Sequence, residues 1–156
     1  MLSGFQKNLR NISYLKVIIV AFVWSGTTVL LPLIHTEVNI DSNIVLFAVQ
    51  RFLIVAVLIL PFDIRDIQYD AISLQTIPKK IGIQNTKKLG FVLLLLALVI
   101  EFLISTQTTT KNIFLGFSFV TVLFLMRAKE NQSRYYSSFW VEALPIFWWI
   151  ILTTII

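Results

Sequence analysis

Apolar runs of about twenty residues recur along this chain, and they restrict its fold more than any other feature. A bilayer core is about 30 Å thick and an α-helix rises about 1.5 Å per residue, so about twenty apolar residues cross it. Five segments fit: 14–34, 43–62, 89–105, 113–126 (short) and 139–156. Within hydrocarbon a single segment satisfies its backbone polar groups internally only as a helix. The pattern therefore predicts an all-α polytopic membrane bundle of about five transmembrane helices, one domain over residues 1–156. The first segment starts late, is long and lacks a small-residue cleavage pattern after it, so it reads as a retained helix and not as a signal peptide.

Composition agrees. Of 156 residues, 57% are hydrophobic and 13% charged, against about 25% charged in typical soluble domains. The chain has no cysteine and one histidine, His35, which removes disulfides, thiolate metal sites and histidine clusters from consideration. The net charge of +5 comes without a basic–aromatic surface pattern, so nucleic acid is not an expected partner. In so apolar a protein, lysines and arginines mark the cytoplasmic ends of helices instead.

Alternating the five segments places residues 1–13, 63–88 and 127–138 on one side and 35–42 and 106–112 on the other. The first side holds Lys7, Arg10, Arg65, Lys79, Lys80, Lys87, Lys88, Arg127, Lys129 and Arg134, with Lys16 just inside the first segment; the second holds Lys111. The positive-inside rule then predicts a multi-pass protein whose N-terminus and 63–88 loop are cytoplasmic and whose C-terminus is outside. Tyr135, Tyr136 and Trp140 fit an aromatic belt at the cytoplasmic boundary.

The stretch PFDIRDIQYD, 61–70, sets three carboxylates after eighteen residues whose only polar or charged members are Gln50 and Arg51. Spacings of three and seven put Asp63, Asp66 and Asp70 within about 60° of one another around a helix. Carboxylates so close repel unless a cation sits among them. Mg²⁺ suits this role: it takes carboxylate oxygens, keeps water ligands and bridges to substrate phosphates. Lys79 and Lys80, in the same loop, are placed to neutralise a phosphate, while Arg65 points off the aspartate face as a secondary contact. The plainer reading is a solvated acidic turn beyond a helix end.

The string DIRDIQYDAISLQTIPKKIG, 63–82, resembles the second aspartate-rich motif of the UbiA-type intramembrane prenyltransferases, and is most similar to the branch whose acceptors are quinone precursors. Asp63, Asp66, Asp70, Thr76, Ile77 and Gly82 occupy matching positions. The resemblance implies Mg²⁺ held by Asp63, Asp66 and Asp70 as catalytic and metal residues, with Lys79, Lys80 and Arg65 on the diphosphate. A prenyl group would pass from a polyprenyl diphosphate to an acceptor within the membrane.

Such proteins resemble nine-helix bundles with a further motif, Asn-x-x-x-Asp-x-x-x-Asp, in their N-terminal half. No counterpart of that motif occurs here, and Gln75 stands where a lysine or arginine is common. The five segments match the last five of nine, and activity would require an N-terminal half-protein as partner. Two alternatives accompany this reading: a non-catalytic membrane protein retaining a Mg²⁺–diphosphate or lipid site, and a small transporter.

The transporter reading rests on Arg51 and Glu101, which stand about 18 and 19.5 Å from the basic end and are expected to form a mutual ion pair. Glu142 is a candidate partner for Arg134 or Lys129. Gly26, Thr27 and Thr28 suit a close helix contact, Pro61 a bend that turns the aspartates inward, and Asn85–Thr86 a helix N-cap. Phe91, Phe102, Phe117, Phe119 and the tryptophans are candidates to line an isoprenoid tunnel or to face lipid.

Overall fold

The computed structural model of the chain describes residues 15–34, 41–68, 76–133 and 135–155. Among the described residues the structure is helical, without strands: α1 (Leu15–Ile34), α2 (Ser42–Asp66), α3 (Ile77–Ile81), α4 (Ile83–Ile104), α5 (Thr108–Arg127) and α6 (Tyr136–Ile155). Helices α1, α2, α5 and α6 are long and apolar enough to cross a membrane. Helix α4 has the length, about 33 Å for its 22 residues, but carries Lys87, Lys88 and Glu101. The all-α bundle expected from the apolar runs is what forms, and it is consistent with about five spans.

The predicted spans after the first were too short at a polar end. The second ends not at Phe62 but at Asp66, so Asp63 and Asp66 belong to the membrane helix itself and not to a loop. The fourth gains a turn before Ile113, beginning at Thr108. Hydropathy marks where apolar side chains stop, whereas hydrogen bonding carries a helix beyond them. The N-cap expected at Asn85–Thr86 lies instead at Gly82. Asn85 and Thr86 are inside the helix, donating to the carbonyls of Ile81 (2.8 Å) and Gly82 (2.9 Å). Gly82 has φ of 82°, which a side chain strains to adopt, and this lets α3 break before α4 begins.

Helix α2 is central. It packs most extensively on α4, then on α1, and reaches α5 and α3. One apolar cluster joins Val17 and Ala21 of α1 to Ala56, Val57 and Leu60 of α2, Ile77, Leu94 and Leu125. A second joins Ile54, Ala97, Phe114, Phe117, Leu144 and Trp148. Outward lie Ile18, Phe22, Val92, Leu103, Phe119 and Trp149, all exposed, as lipid-facing surfaces require.

The close helix contact is not at Gly26, where an added Cβ meets nothing within 4 Å. Thr27 and Thr28 bond back to carbonyls of their own helix. The tight crossing is at Gly90, where a Cβ would lie 2.6 Å from Leu125 Cδ2 and 2.8 Å from Leu60 Cδ1. Gly90→Val is expected to destabilise the bundle by about 1–3 kcal/mol, since both leucine tips must move. Denaturant titration of the refolded protein in mixed micelles checks this, with Gly116→Val, which meets open space, as the control.

Candidate functional site

The described basic side chains other than Arg51 and Lys111 gather at one end of the bundle, where polar side chains stitch the helices together. Asp63 is 1% exposed, and one oxygen lies 3.0 Å from Lys16 Nζ. Lys16 stands in the first turn of α1 and Asp63 in the last turn of α2, so the antiparallel hairpin brings them level. Three residues on, Asp66 accepts from Arg65 Nε at 2.7 Å. Arg65 also donates to Ser137 Oγ (2.8 Å) and Ser138 Oγ (3.1 Å) in the first turn of α6. Gln132 donates to the Pro61 carbonyl (2.9 Å), Gln68 to that of Glu130 (2.7 Å) and Lys87 to that of Met126 (2.7 Å).

Asp63 and Asp66 thus serve different helices. Asp63 faces α1 and Asp66, through Arg65, faces α6, despite their nearness on the helical wheel. Lys79 and Lys80 sit in the last turn of α3. Asp70 lies outside the described residues, as do His35 and Arg134. Asp63 carries Lys16 and Asp66 carries Arg65; no group of three histidine, cysteine or carboxylate side chains converges among the described residues, which do not include Asp70.

The expected Arg51–Glu101 ion pair is not made. Glu101 accepts from Gln50 Nε2 at 2.7 Å, and Gln50 also donates to the Ala97 carbonyl. The Arg51 guanidinium lies over the rings of Phe47 (4.5 Å) and Trp148 (4.2 Å). Two aromatic faces attract the cation without the geometry that a carboxylate demands, and the adjacent glutamine reaches Glu101 first. Nor does Glu142 meet Lys129: among the described residues the ion pairs are Lys16–Asp63 and Arg65–Asp66.

Of the candidate tunnel aromatics, Phe117 and Trp148 turn inward, stacked at 4.6 Å. Phe91, Phe102, Phe119, Trp24, Trp140 and Trp149 are exposed and face outward. The sequence reading missed the role of Lys16 and the serine pair at 137–138. A lysine at the start of one span and an aspartate at the end of the next is the readable signal, since a helical hairpin brings such positions together.

At the same end an open cleft of about 920 Å³ is bounded by Ile67, by α3 and the first turn of α4, and by the 128–131 segment. Lys79, Lys87, Lys129 and Glu130 line it.

Fold and site together define an integral membrane helix bundle with an ionic, cross-stitched end. Comparison with known proteins finds no matching family model, no matching curated protein and no matching solved structure.

Proposed function

We propose that the chain binds a polyprenyl diphosphate at its basic, cytoplasmic end and serves as one half of a UbiA-type prenyl-transfer unit. The observation that carries this reading is Asp63, a carboxylate 1% exposed at the lip of a membrane bundle. Burial there is tolerable only beside a cation, and Lys16 supplies one. The aspartate string that resembles the prenyltransferase motif ends in Gly82, whose backbone requires glycine.

In this reading Lys79 and Lys80 stabilise the negative charge that builds on the departing diphosphate, as fixed cations do. The apolar helices hold the isoprenoid tail and keep water from the allylic carbon. Phe117 and Trp148 are the inward aromatics of that interior. Magnesium, where bound, would supply further positive charge beside the diphosphate.

The test is titration of farnesyl diphosphate into the chain in nanodiscs, with and without Mg²⁺. Binding is expected to exceed that of farnesol. With Mg²⁺ present, Asp66→Asn and Asp70→Asn are each expected to weaken it about tenfold, since a carboxylate holds a diphosphate only through a cation between them. Equal binding of farnesol, or no change in either variant, would refute the reading. A non-catalytic lipid-binding role is favoured by one observation, the occupation of Asp63 by Lys16. Co-expression with N-terminal halves carrying the other aspartate motif separates the two, since only the enzyme half then transfers prenyl groups.

A further inference from the structure

We propose that the cleft between α3, the start of α4 and the 128–131 segment is an anion site for a phosphate group at the membrane surface. Among the described residues Asp63 and Asp66 do not line it, and it does not depend on the prenyl-transfer reading.

Four observations converge. First, among the described residues three lysines, Lys79, Lys87 and Lys129, and one carboxylate, Glu130, line the same space. Second, Lys87 is only 9% exposed, and its hydrogen bond to the Met126 carbonyl uses one of the three donors an ammonium carries. Third, burial and then the nearby charge of Lys129 hold the Lys87 amine below its usual range. Two cations around one cleft repel, and an anion between them turns that cost into attraction. Fourth, the first turn of the 22-residue α4 opens on the cleft with no side-chain cap. The positive end of its dipole adds to the lysines. At about 920 Å³ the cleft is of ligand-pocket size, about 300–1,000 Å³. Its apolar wall, Ile67, Pro78 and Ile81, suits the glycerol end of a lipid.

A phosphate reaches this place from a lipid headgroup or from solution, and the experiment separates them. The full chain is placed in phosphatidylcholine nanodiscs with or without phosphatidylglycerol, and retained lipid is counted by native mass spectrometry. A second arm adds inorganic pyrophosphate to pure phosphatidylcholine discs and reads thermal unfolding. Retention of phosphatidylglycerol without protection by pyrophosphate assigns the site to a lipid. Protection by pyrophosphate alone assigns it to a soluble anion.

Lys87→Gln and Lys129→Gln are each expected to weaken the bound anion about fivefold. Lys88→Gln removes the same charge from an exposed position that does not line the cleft and is expected to weaken it less. Lys129 is exposed, so its variant reports even where Lys87→Gln fails to fold. Binding of neither probe, or equal losses in Lys88→Gln and Lys129→Gln, overturns the proposal.

Discussion

Trp148→Ala is expected to destabilise the bundle by about 3 kcal/mol, the low end of what truncating a buried aromatic costs. In lipid the loss comes less from water transfer than from packing. Trp148 is stacked on Phe117 at 4.6 Å and tilted against Phe114 at 5.4 Å, and covers the Arg51 guanidinium at 4.2 Å. Removing it leaves a cavity and strips one aromatic face from a charge within the apolar layer. The two effects separate in a double-mutant cycle. Arg51→Leu alone removes the cation together with the reason for the cover. If the aromatic shields the charge, the double variant Arg51→Leu/Trp148→Ala loses less than the sum of the single losses. Unfolding in mixed micelles reads the cycle, and strict additivity would show that Trp148 only packs.

The second large effect is expected at the basic end. Lys16→Ala leaves the Asp63 carboxylate buried without that cation. A fully buried pair broken on one side costs about 3–5 kcal/mol, but the Lys16 side chain is 58% exposed, so solvent screening lowers the expectation to about 2 kcal/mol. Asp63→Asn in the Lys16→Ala background removes the buried charge and should recover part of the loss. Lys16→Arg, which keeps a cation on a long stem, should lose less than Lys16→Ala. The same unfolding assay decides this: no recovery in the double variant would mean that the pair is not what holds Asp63 in place.

The membrane bundle was legible because its cause is a one-dimensional quantity, the length of an apolar run. Residues 43–62 announced α2 without ambiguity, and the lysine and arginine distribution announced a basic end. What a run does not encode is which neighbour a polar side chain meets. Arg51 and Glu101 were correctly placed at similar depth, yet depth is one coordinate of three. The angular positions of Gln50 and Trp148 decided that each charge found a different partner. Asp63 and Asp66 share a helical face within about 60°, but α1 and α6 approach that face from two sides and divide it. Gly26 and Gly90 are indistinguishable by composition. Only the crossing of α2, α4 and α5 makes Gly90 the one that cannot bear a side chain without displacing its neighbours. The aspartate string and Gly82 pointed to a diphosphate; the cleft lined by Lys87 and Lys129 joins residues from segments far apart in sequence, and no local motif signals it.

The polar stitches have a mechanical consequence. Among the described residues, the side-chain hydrogen bonds that tie α6 and the 128–133 segment to the rest of the bundle, Arg65 to the serines, Gln132 to Pro61, Gln68 to Glu130 and Tyr136 to Phe124, all sit at the basic end. Farther along, α5 and α6 rest on α2 through rings and aliphatic contacts alone. The bundle is therefore built like a folding fan, riveted where its charges are and held elsewhere only by the slip of one blade on the next. Lipid tails of different thickness can spread the far ends of α5 and α6 while the ionic rim keeps its shape.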